Sequence, residues 1–121
     1  MVDSSSLMIG SSDPKALAEF YIKVIGKKAD WSDNDWYGFN LGETFITIGP
    51  HSEVAKKAKE PQRMLINLYT KDVKGEFDRV VKETKAKVIK EPYAPDEKKE
   101  MWIATLEDLD GNYFQLTTPW K

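Results

Sequence analysis

The order of local signals in this chain runs through the same series twice. Leu7–Ile9 is a short apolar stretch of strand length. In the "SSDPKALAEFYIKVIG" that follows, Asp13 can cap a helix and Pro14 suits its first turn. Leu17, Phe20, Tyr21, Val24 and Ile25 then recur at helical spacing until Gly26 ends the run. Three strand-like runs come next, "KKADW", "DWYGFNLG" and "ETFITIG", broken by "SDND" and "LGE" turns. After the polar "HSEVAKKAKEPQ", which reads as a linker able to hold a helical turn and closed by Pro61, the series starts again. "MLINLYT" is a strand, and Asp72 caps a segment that places Val73, Phe77, Val80 and Val81 on one helical face. "KVIK", "EMWIATLE" and "NYFQLTT" are three further strands, and "EPYAPDEKKE" between them is expected as a loop rich in proline and charge. Gly42 and Gly111 each open a final strand, "GETFITI" beside "GNYFQLT". The repeat predicts an α+β fold of two βαβββ units, near 4–50 and 63–118, joined by a linker over 51–62. Both units belong to one domain spanning 1–121, with helices over 14–25 and 73–84.

Composition narrows the function. The chain has 121 residues, the size of one ordinary domain, with 40% hydrophobic and 31% charged residues. Eighteen basic and 20 acidic residues give a formal charge of −2, so no basic excess exists to neutralise phosphates, and no nucleic-acid partner is expected. Without cysteine there is no disulfide, thiol nucleophile or thiolate metal site. "MVDSSSLMIG" lacks the basic and apolar regions of a secretion signal, and no run approaches the ~18 apolar residues of a membrane span. A cytoplasmic chain with no membrane partner is the expectation.

Two stretches carry a family resemblance. "SSDPKALAEFY" looks like the first strand-to-helix junction of the vicinal oxygen chelate superfamily, and "LEDLDGNYFQL" looks like its final hairpin. That superfamily includes glyoxalases, bleomycin-resistance proteins and extradiol dioxygenases. The resemblance spans essentially the whole chain. It implies a cup-shaped, partly closed barrel of curved mixed sheets, with a metal held inside the cup by the first and last strands of each unit. It also implies a homodimer, because relatives cover their sheet edges and apolar surface by pairing. The hairpin departs from the common pattern at Leu109, where proline is usual, and at Gln115, where a glutamate ligand is usual. Carried over by spacing, the four ligand positions are Ser6, Ile46, Leu65 and Gln115. Two of these are alkyl groups and two are neutral oxygen donors, whereas zinc, nickel, manganese and iron want imidazole or carboxylate. A shift of one residue brings Leu7, Phe45, Thr47, Ile66 or Leu116, none of them a strong ligand. His51, the single histidine, falls in a loop and reads as an exposed imidazole. No metal and no other cofactor is expected.

Strand alternation then separates two faces. Leu7, Ile9, Phe45, Ile66, Leu68, Phe114 and Leu116 form an apolar face suited to packing under the helices. Ser6, Met8, Ile46, Ile48, Leu65, Asn67, Tyr69, Tyr113, Gln115 and Thr117 form a mixed face, apolar with a few polar groups, as in ligand pockets. Trp31, Trp36 and Trp102 fall on strands of the cup, while Trp120 reads as a packing anchor. The expected ligand site is Trp36 or Trp102 for stacking with Asn67, Tyr69, Tyr113 and Gln115 for polar contact. Asp108 and Asp110 are turn residues, and no Ser–His–Asp set is present. The leading expectation is a metal-free protein that binds a small organic ligand, sequestering an aromatic or cationic compound as in the bleomycin-resistance branch. One alternative is a metal-dependent lyase, isomerase or dioxygenase with an atypical ligand set. The other is an interaction module that has kept only the fold.

Overall fold

A computed structural model describes residue 2 and residues 4–96 and 100–119. Trp120 lies outside them. Two compact units divide the chain, Met1–Lys57 and Ala58–Lys121. The first contains β1 (Leu7–Ser11), α1 (Pro14–Ile25), β2 (Trp31–Asp33), β3 (Trp36–Leu41) and β4 (Thr44–Pro50). The second opens with a 3₁₀ turn at Pro61–Arg63, followed by β5 (Ile66–Tyr69), α2 (Val73–Thr84), β6 (Lys87–Asp96), β7 (Met101–Glu107) and β8 (Tyr113–Thr117). The repeated βαβββ order and both helix spans are as the sequence predicts. Each unit has one mixed four-stranded sheet, ordered β1-β4-β3-β2 and β5-β8-β7-β6. In each, the first strand pairs parallel with the last and the other pairings are antiparallel.

The repeat extends to individual hydrogen bonds. Asp13 accepts from the Ala16 backbone N–H and Asp72 from that of Gly75, satisfying first-turn donors that the helix cannot satisfy itself. Two residues earlier, Ser11 Oγ accepts the Asp13 N–H at 3.0 Å and Thr70 Oγ1 accepts the Asp72 N–H at 3.1 Å. Both helices stop at a left-handed residue, Gly26 with φ 87° and Lys85 with φ 57°, and in each case its N–H bonds back into the last turn.

In the first unit α1 buries Leu17, Phe20, Tyr21 and Val24 against a sheet face carrying Phe39, Ile46 and Ile48. In the second, Val73, Phe77 and Val80 of α2 meet Ala104, Leu106, Phe114 and Leu116. Full burial of one such large apolar side chain stabilises by roughly 1.5–3 kcal/mol. Asp30 ties the end of the α1 connection to β3: it accepts from Lys27 Nζ at 2.8 Å and from the Asn40 N–H at 2.6 Å. The Lys27 ammonium and then the Asn40 N–H hold its carboxyl below the ordinary aspartate value.

Three expectations are corrected. Residues 91–96 are not a loop: "EPYAPD" continues β6. The strand tolerates Pro92 and Pro95 because it lies at the sheet edge and its pairing with β7 shifts register between Lys90 and Tyr93 and again between Tyr93 and Asp96. Of "SDND", Ser32 and Asp33 belong to β2, and only Asn34 and Asp35 form the turn. Asn34 takes the positive φ of 55° there. Finally, Ile46 and Ile48 do not share a face with Ser6 and Met8. Ile46 pairs with Leu7 and Ile48 with Ile9, on the α1 side, whereas Met8 pairs with Thr47. Phe45 accordingly leaves the apolar face to which alternation assigned it. The cause is one extra residue between the turn glycine and the ladder. Thr47 lies five positions after Gly42, while Gln115, its counterpart in pairing, lies four after Gly111.

Candidate functional site

In the second unit, the sheet face away from α2 is built in rows, because residues in register across a ladder project on one side. The central row is Asn67 on β5, Gln115 on β8, Thr105 on β7 and Lys90 on β6. Gln115 Nε2 donates to Thr105 Oγ1 at 3.2 Å. The next row is Tyr69, Thr117, Ile103 and Tyr93. On the other side, Tyr113 pairs with Glu107, which pairs with Lys87. Asn67, Tyr69 and Lys90 are exposed, Gln115 and Tyr113 are half-buried, and Thr105 and Thr117 are buried between them. Lys90 Nζ stands 5.3 Å from the centroid of the Tyr93 ring. Apolar and aromatic bodies thus surround a line of amides, a hydroxyl and an ammonium.

Four of the six expected site residues, Asn67, Tyr69, Tyr113 and Gln115, come together on this face. Trp102 does not join them. It shares its side of β7 with the buried Ala104 and Leu106, its backbone pairs with Thr118, and Lys74 of α2 places Nζ 3.8 Å from its ring centroid. Trp36 belongs to the first unit. There the face away from α1 has a floor of Gly10, Gly38 and Gly49, with aromatic rings laid on it. A Cβ on Gly49 would run into the Trp36 ring, and one on Gly38 would come within 2.6 Å of Phe45 Cζ. Trp36 is therefore half-buried against backbone, while Trp31 beside it stays 48% exposed. Glycines on a sheet leave slots that neighbouring rings fill, which restores packing those positions would otherwise lack.

Thr105, Lys90 and Tyr93 were missed by sequence reasoning. Thr105 was available from alternation along "MWIATLE". Lys90 and Tyr93 were not, since the register shifts in β6 break its period of two.

The positions at which the superfamily holds its metal do not fit one. Ile46 is 6% exposed on the α1 side, Leu65 is an alkyl group, Ser6 is a lone exposed hydroxyl, and the Gln115 amide already bonds Thr105. Thr47, which faces the side meant for Ile46, adds only another neutral hydroxyl. Among the described residues no three His, Cys, Asp or Glu side chains gather in a group able to hold a metal ion. His51 is exposed, and its Nδ1 accepts the Glu53 N–H at 3.1 Å. Asp108 is spent on the hairpin: its carboxylate accepts the N–H groups of Asp110 and Asn112 and the Asn112 side-chain amide. No described helix is long and apolar enough to cross a membrane.

No curated protein matches the sequence. Solved structures share its fold at low identity. The hypothetical protein SA1046 from S. aureus is 24% identical, with 98% of this chain and 99% of that one covered and a TM-score of 0.71. A glyoxalase/bleomycin resistance protein/dioxygenase family enzyme from Burkholderia phytofirmans PsJN is 23% identical, covering 97% and 98%, with a TM-score of 0.72. A glyoxalase-related enzyme from Fulvimarina pelagi is 14% identical, covering 98% and 89%, with a TM-score of 0.74. Residues 6–117 match the glyoxalase-like domain family. With that match running from just before β1 to the end of β8 across both βαβββ units, the chain belongs to the glyoxalase-like domain family, of the vicinal oxygen chelate type.

Proposed function

We propose that this protein binds a small, partly aromatic organic molecule without a metal, on the sheet face of the second unit away from α2. The observation that carries this reading is the central row Asn67, Gln115, Thr105 and Lys90 flanked by Tyr69, Tyr93 and Tyr113. Solvated faces of antiparallel sheets are usually more charged, whereas ligand sites combine apolar surface with a few convergent polar groups. The donor chemistry at the superfamily's metal positions supports the same reading. So does the likeness to solved glyoxalase/bleomycin resistance proteins. On this reading the protein sequesters its ligand, acts inside the cell and works as a homodimer.

A thermal-shift screen of small aromatic compounds tests the proposal. A ligand that binds the native state and not the unfolded one raises the melting temperature, by an amount that grows with the logarithm of its concentration above Kd. The shift is expected for the wild type and is lost in Tyr69→Ala and Gln115→Leu. Equal shifts in all three proteins would place the binding elsewhere, and a stoichiometric transition metal lost on Gln115→Ala would replace the reading with a metal site.

A further inference from the structure

We infer that this face selects a planar ligand bearing a carboxylate and rejects cations. The inference rests on the reading of the second unit's face as the binding site, and it fixes the charge of the ligand. An aromatic face by itself invites a cation, because the ring quadrupole attracts one. On this face one aromatic ring already has that seat filled by the chain's own lysine: Lys90 Nζ lies 5.3 Å from the Tyr93 centroid. A cationic ligand would have to displace an ammonium or approach one.

The hydrogen-bonding row points the same way. Asn67, Gln115 and Thr105 are neutral, so the formal charge of the central row is that of Lys90. The carboxylate in the neighbouring row, Glu107, is in register with Lys87, which opposes its charge. The row contains no anion to receive a cation. It is rich in donors: three N–H groups on Lys90, the amide of Asn67, and the Gln115 N–H not used on Thr105. A carboxylate accepts from several donors and has none to offer, so it complements this row, and a charge-assisted bond to an ammonium is stronger than one between neutral groups. Lys90 is where the carboxylate would seat, with the ligand ring over Ile103 beside Tyr93 and ring substituents read by Gln115.

The test uses the full chain labelled with ¹⁵N and three probes of one size: benzoate, benzamide and benzyltrimethylammonium. The side-chain amide signals of Gln115 and Asn67 report binding at the row. Benzoate is expected to move them at the lowest concentration and benzyltrimethylammonium at the highest. In Lys90→Met, benzoate affinity should fall about two- to fivefold, the range of an exposed ion pair, and its dependence on salt should flatten. Benzamide affinity should fall by a smaller factor in that variant, and the dispersion of its ¹⁵N backbone spectrum confirms that it is folded. If benzamide and benzoate bind alike, or the cation binds best, or Lys90→Met leaves benzoate unaffected, the charge preference is wrong while the binding face stands. If no probe moves either amide at millimolar concentration, both the preference and the binding face fall.

Discussion

Gln115 Nε2 donates to the hydroxyl of Thr105 across the β7–β8 ladder, at the position where relatives in the superfamily are expected to present a metal-binding glutamate. The amide is thus anchored at one end and half-exposed at the other, which suits a residue that orients a ligand. Replacing it with leucine removes one neutral hydrogen bond, for which the expected stability loss is ~1 kcal/mol. Urea midpoints of Gln115→Leu should therefore move little, while affinity for any ligand of this face falls by a larger factor. A large stability loss with unchanged affinity would make Gln115 a structural residue.

Trp102→Ala should behave in the opposite way. The indole lies on the α2 side beneath Lys74, so its removal loses packing area and a cation–π contact together. Fully buried Trp→Ala changes cost ~3–5 kcal/mol, and this half-buried ring should cost somewhat less. Ligand affinity of the folded protein should hold. Guanidinium denaturation and a ligand titration on the same variant check both halves.

Gly49→Ala should be harmful although the residue is in an ordinary strand. Its Cβ would enter the Trp36 ring, forcing the indole off the sheet. Overpacking of this kind costs ~1–3 kcal/mol. The displaced indole should also report itself as a red shift in tryptophan emission. Gly42→Ala is a useful contrast: no atom lies within 4 Å of the added methyl, and only its φ of 59° resists.

Asp30 sets a pH dependence. Its carboxyl is held below the ordinary value by Lys27 and the Asn40 N–H, so the folded state favours the ionised form. The contribution is complete above the unfolded-state value of about 3.9 and is lost as pH falls from there through the lower folded value. Asp30→Asn should be less stable near neutrality and should lose less between pH 4 and 2 than the wild type, read as the slope of stability against pH.

Association is expected at the edge of the second sheet. Met64, Leu65 and Tyr69 are 73%, 41% and 59% exposed in and just before the edge strand β5. A symmetric pair of chains is the commonest way to cover such a patch. Light scattering should give about twice the 13.9 kDa chain mass, and Met64→Lys with Leu65→Lys should return it to one chain.

Much of the architecture was legible because its signals are local. Asp13 and Asp72 cap, Gly26 and Gly111 take positive φ, and helical periodicity marks both packing faces. The shared face of Asn67, Tyr69, Tyr113 and Gln115 was legible because the period of two holds there. Legibility was lost where one residue was inserted. An extra position after Gly42 turned Ile46 and Ile48 to the helix side, and the shifts in β6 hid Lys90 and Tyr93. A strand's face depends on its register with a partner, which one-dimensional alternation does not encode. The side of the sheet that Trp102 faces was misjudged for another reason. An aromatic at the end of a strand beside a helix terminus looks like any other exposed indole until the lysine that covers it is seen.

The prolines of β6 have a consequence for how far such sheets can grow. On that edge Pro92 and Pro95 lack the N–H that an incoming strand would need, and the displaced register spoils a straight template. At the corresponding edge of the first sheet, β2 is three residues long. A fibril requires every layer to accept a neighbour on both sides. Sheets sealed along one border accept at most one, so strand-to-strand stacking through either unit terminates after a single addition.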